Sequence, residues 1–99
     1  MTTAAVIEVS ELQAILRTKR GPMAEAARRR LDRATRLHAK DLRQIESNKA
    51  DGLEELAGMM SKEQRDFESA IYDKEDADSR LSHEKLDAEV AAIAESLGL

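Results

Sequence analysis

The chain has 99 residues, with no cysteine, no tryptophan, a single proline, four glycines and two aromatic residues, Phe67 and Tyr72. The lack of cysteine excludes a disulfide framework and thiol chemistry. A zinc site would have to be assembled from His38, His83 and carboxylates alone. The scarcity of proline and glycine leaves few places for the chain to turn, and the scarcity of aromatics removes the side chains that fill a globular core. Long apolar runs are missing as well. No window approaches 18 consecutive apolar residues, and Met1 to Val9 lacks the basic start and apolar run of a signal peptide. The expectation is a soluble, cytoplasmic chain with no membrane partner.

What remains is rich in Ala, Glu, Lys, Arg and Leu, the composition of long helices and coiled coils. Sixteen alanines bury little area each, so one domain with a thin core is the most that can form. Alanine with arginine in excess over lysine is also the bias of a GC-rich bacterial or phage genome. High charge with few aromatics marks disordered chains too, but the helical periodicity of the apolar residues argues against disorder.

Charge is unevenly placed. Arg17 to Arg43 carries ten basic residues against three acidic ones, a balance of +7, whereas the whole chain is −4. Residues 46–99 hold 15 acidic and 6 basic side chains. A basic arm can therefore lie against an acidic one, although exposed ion pairs contribute only about 0 to 1 kcal/mol each and choose orientation more than they stabilise.

Read in order, Ser10 and Gln13 form a capping-box signal for a short helix beginning at Glu11, with Val6 to Val9 either extending it or forming an arm. Gly21-Pro22 ends that helix, glycine suiting a left-handed cap and proline the first position of the next helix. From Pro22, steps of 100° place Ala24, Ala27, Leu31, Ala34, His38, Leu42 and Ile45 on one side. Arg29, Arg33, Arg36, Lys40 and Arg43 occupy the opposite side at 4-3-4-3 spacing, a basic ridge. The stripe continues through Gly52 and Leu56, with a competing break at Asn48 to Gly52. Gly58 and a second capping box, Ser61 with Gln64, mark a turn. Beyond it Phe67, Ala70, Ile71, Ala77 and Leu81 define one face, and Leu86, Val90, Ile93 and Leu97 another. The two sets are out of phase, which requires a register shift, an unwinding or a break near Ser82.

The fold expected is all-α: a short N-terminal helix within residues 1–21, then a long antiparallel, coiled-coil-like hairpin over 22–99 that turns near 58–61 and assembles into a helical bundle. In such a hairpin, positions summing to roughly 121 face each other. Leu31 meets Val90, Ala27 meets Ile93 or Ala94, Arg43 comes near Asp78, and His38 lies opposite His83.

Few residues suggest chemistry. Two histidines across a seam are one ligand short of a metal site, and no His-x-x-x-His or Glu-x-x-His pattern is present. Asp73 to Glu84 resembles a calcium loop only superficially, because the sixth position from Asp73 is Asp78 where the loop needs glycine. There is no phosphate-cradling glycine loop, nucleophile elbow or triad. No enzyme activity, cofactor or metal is expected. Met59 and Met60 with Leu53 and Leu56 could form an adaptable apolar patch, though methionine at helical spacing is more often packing.

The function expected is that of a small non-enzymatic adaptor or assembly protein, partnered by another protein or by itself as a homo-oligomer. Val6, Val9, Leu12, Ile15 and Leu16 are the expected partner-binding residues, as an amphipathic element ahead of the Gly-Pro hinge. The alternative is a nucleic-acid-associated protein using the ridge of Arg29, Arg33, Arg36, Lys40 and Arg43 on phosphates.

Overall fold

The structure, a computed structural model, describes residues 7–99. Three helices follow one another: α1 (Val9–Thr18), α2 (Pro22–Leu56) and α3 (Ser61–Ser96). No strand occurs among the described residues. The fold is an all-α hairpin of the two long helices preceded by the short one.

The boundaries follow from local chemistry. Helix α1 starts two residues ahead of Glu11: Glu8 is the extended cap residue, its carbonyl accepting from Leu12 N at 3.0 Å, with no side-chain cap. Ser10 therefore lies inside the first turn and does not cap it. Gly21 adopts φ 106°, a left-handed geometry reserved largely for glycine, and Pro22 opens α2 where its missing N–H costs nothing.

Between α2 and α3 the chain tightens through i to i+3 bonds, from Ala57 N to Glu54 O, Gly58 N to Glu55 O and Met59 N to Leu56 O. Gln64 Nε2 then donates to the carbonyls of Leu56 at 3.3 Å and Met59 at 3.1 Å. The glutamine of the expected capping box is thus spent on carbonyls of the turn that follows α2. Ser61 is the first helical residue, and Met60 O accepts from Gln64 N in the cap position. Met60 itself is two-thirds exposed. At the far end of α3, Leu99 N bonds to Ala94 O and Gly98 N to Glu95 O with Gly98 at φ 75°, a Schellman motif.

The chain divides into two compact units. The first comprises the chain through Leu37 together with Glu84–Leu99. Its core takes Leu12 and Leu16 from α1, Ala24, Ala27 and Leu31 from α2, and Val90, Ile93 and Ala94 from α3, all buried. Ile7, Val9, Leu86 and Leu97 pack around the central cluster. Arg28 fastens α1 in place. Its Nη1 donates to the carbonyls of Leu16 (2.7 Å) and Lys19 (2.9 Å), satisfying acceptors that the end of α1 would otherwise leave open. Arg30 pairs with Glu89 of α3.

The second unit is His38–His83, two helices and their turn. Helix α2 runs unbroken through Asn48 to Gly52, and α3 runs unbroken through Ser82. The positions of α3 that turn inward are Phe67, Ile71, Glu75, Asp78 and Ser82, then Leu86, Val90, Ile93 and Leu97. Their steps are of three and four residues throughout, so no register shift is needed. The gap between the two apolar sets is filled by polar side chains that occupy the seam.

Truncation in the first unit should be expensive. Leu16→Ala or Ile93→Ala is expected to lower stability by about 2 to 5 kcal/mol, against less than about 0.5 kcal/mol for Leu81→Ala at a half-exposed position. Urea titration followed by circular dichroism reads the difference as a shift in midpoint at constant slope.

Candidate functional site

The amphipathic face proposed for partner binding is used within the chain. Leu12 is 0% and Leu16 2% exposed, Val9 and Ile15 are half-buried, and Val6 lies outside the described residues. A partner could reach Leu12 or Leu16 only by displacing α1 from the core that those leucines complete.

The basic residues lie outward. Arg29, Arg33 and Arg36 in the first unit and Lys40 and Arg43 in the second are all exposed. Arg36 Nη2 is 2.7 Å from Asp32 of its own helix. No ion pair among the described residues joins Arg43 to Asp78, whose carboxylate instead accepts from Lys74 at 2.8 Å. Among the described residues the pairs that bridge α2 and α3 are Arg30 with Glu89 and Lys49 with Glu75, neither of which involves the ridge.

In the second unit a polar cluster sits in the seam. Ser82 is 4% exposed, the single buried polar residue among those described. Its Oγ donates to Asp41 Oδ2 at 3.2 Å and lies 2.8 Å from His38 Nδ1. A hydroxyl has one proton to give, so donation to Asp41 makes Ser82 the acceptor from His38 and places the imidazole proton on Nδ1. The His83 ring meets that of His38 at 4.6 Å between centroids, tilted by 57°. Two turns further along, Lys49 reaches between Glu46 of its own helix and Glu75 of α3, with Nζ 3.2 Å from Glu75 Oε2. The hydrogen bond to Glu75 holds the amine above its ordinary pKa against the opposing effect of burial, with the charge of Glu46 adding to it, and Lys49 therefore stays cationic at neutral pH. Nζ donates to Oε1 at 3.4 Å, which leaves Oε2 buried with a charge contact but no hydrogen bond.

Beside this pair the surface opens into a recess of about 250 Å³ lined by Ile45, Gly52, Phe67, Ala70 and Ile71, with Lys74 and Asp78 at its edge. Gly52 helps to shape it. A β-carbon there would approach the Ile71 side chain to 3.1 Å, so the glycine lets α3 come close at the cost of helix propensity. A shallower depression continues over Phe67 and Ala70 toward Met59 and Asp66. Sequence reasoning finds Phe67, Ala70, Ile71, Ala77 and Leu81 as one face. In the structure Phe67 and Ile71 are partly buried, and Ala70, Ala77 and Leu81 are exposed beside them.

Among the described residues no group of three or more His, Asp or Glu side chains is arranged to hold a metal ion. No helix of these residues is long and apolar enough to cross a membrane. No protein-family model, curated protein or solved structure matches the chain.

The seam cluster yields a stability prediction. Ser82→Ala strands Asp41 and His38 and is expected to cost about 1 to 3 kcal/mol, while adding His38→Leu recovers only the part due to His38, because Asp41 still lacks its donor. A denaturant series on the wild type, the single and the double variant measures it.

Proposed function

We propose that the chain is a small non-enzymatic adaptor or assembly protein that binds protein partners, another protein or a second copy of itself, through helix faces of the His38–His83 unit. One observation carries this reading. All eight buried hydrophobic residues among those described belong to the first unit, and the second unit, with 46 residues, buries only Ser82. Its own apolar side chains, Leu42, Ile45, Leu53, Leu56, Phe67 and Ile71, are only partly buried. Tyr72 and Leu81 are exposed outright. Two helices can shield one side of each other and no more, so the uncovered side is the surface a third helix would take.

This shifts the expected binding element from α1 to the second unit. The first unit has its third helix in α1. The second lacks one, and a helical partner laid along it would supply what α1 supplies to the first.

The test uses the full chain with a photo-crosslinking residue at exposed Ala70, in cells that express it. A discrete crosslinked protein, lost when Phe67→Glu is added, is the expected result. Absence of protein crosslinks, together with binding of DNA or RNA that weakens steeply between low and moderate salt, would contradict the reading and favour nucleic-acid association through the arginine residues of α2.

A further inference from the structure

We infer that the partner of the second unit is a basic amphipathic helix of another protein, which lies in the groove over Phe67 and Ala70 with its lysine or arginine residues against acidic banks. The inference rests on the adaptor reading and names the chemistry of its occupant. The groove is continuous. The recess of about 250 Å³ and the shallower depression beyond it share Phe67 and Ala70, and together they follow α3 from Lys62 to Asp78. That is about 24 Å, between four and five turns at the rise of an α-helix, and long enough to take the i, i+3, i+4 and i+7 anchors of a docked helix. The floor is apolar, with Ile45 from α2 and Phe67, Ala70 and Ile71 from α3.

Charge decides which kind of helix fits. Two cations of the recess are already matched, Lys49 by Glu75 and Glu46 and Lys74 by Asp78. The carboxylates farther out are not. Glu63 and Asp66 line the depression, and Asp73 stands one turn beyond Ala70 on the same helix. On the opposite bank Glu55 stands between Gly52 and Met59, which line the two parts of the groove. All four are exposed, and none joins an ion pair among the described residues. Lys62 is the one lining cation without a carboxylate of its own. Both banks therefore carry surplus negative charge, in a unit of seven basic and twelve acidic residues. A second such unit, a nucleic acid or an anionic membrane would each bring charge of the same sign. A helix whose apolar stripe is flanked on both sides by lysine or arginine covers the floor and meets both banks. Charge placed in this way selects the partner more than it adds affinity.

Fluorescence anisotropy of the full chain, up to about 100 µM, with two labelled model helices of about 18 residues tests the inference. One has a leucine stripe flanked by lysine, the other the same stripe flanked by glutamate. The lysine peptide is expected to bind about tenfold more tightly or better. Glu63→Lys combined with Asp66→Lys should weaken it about tenfold or more, as should Ala70→Lys on the floor. Glu68→Lys combined with Asp76→Lys makes the same change of charge at exposed positions that line neither part of the groove, and should alter binding less than about threefold. Circular dichroism should show helix content unchanged in every variant, since all five positions are exposed. Equal affinity for the two peptides, no binding of either, or an equal loss from the two pairs of reversals overturns the inference. The crosslink from Ala70 separates it from the adaptor reading. Capture of a second copy, or of a partner segment without net positive charge, overturns the basic helix as occupant and leaves the adaptor reading in place.

Discussion

A pair of helices covers one side of each member, and a third helix is needed before a large apolar side chain between them is closed off from water. Among the described residues the ten of α1 are the only third helix, and they join the first unit. The consequence runs through the whole distribution of burial. Leu12 and Leu16 close a core with Leu31, Val90 and Ile93, each nearly inaccessible to solvent. Apolar residues of comparable size in the second unit, Ile45, Phe67 and Ile71, keep part of their surface in water. At about 25 cal/mol per Å² of apolar surface removed from water, the difference decides where the stability resides.

The second unit uses its seam differently. Ser82, Glu75 and Lys49 sit where a coiled coil would place leucine, and they are joined by hydrogen bonds and charge contacts to Asp41, His38 and Glu46. Such groups add little net stability, since desolvation offsets most of the attraction. They do oppose sliding. A slip of the helices by one turn would separate Ser82 from both acceptor and donor and leave buried polar atoms without partners. The seam therefore fixes the register of the two helices, while the apolar residues beside it stay open.

Much of the architecture is legible in the sequence. The apolar residues of α2 recur at three and four residues from Ala24 onward, and Gly21-Pro22 announces the first turn through backbone geometry alone. Pairing positions whose numbers sum to about 121 places His38 opposite His83, and the rings do meet. Three features are not legible, each for a physical reason. Ser82 is polar, so an apolar count sees a gap where the structure has a hydrogen-bonded seam. Arg28 stands in a row of three arginines and reads as one more charge, although it is the side chain that fastens the end of α1. An amphipathic helix ahead of a hinge looks the same whether its face is meant for another protein or for its own chain. The burial of Leu12 and Leu16 separates the two cases.

The fully buried apolar residues among those described are confined to the first unit, and the proposal is that a partner covers the second. Native-state hydrogen exchange on the isolated chain, kept dilute, tests it most directly. Amides of α1 and of the α2 and α3 segments in the first unit should exchange slowest, and those of His38–His83 about tenfold faster or more. Equal protection across both units, or greater protection in His38–His83, would contradict the account.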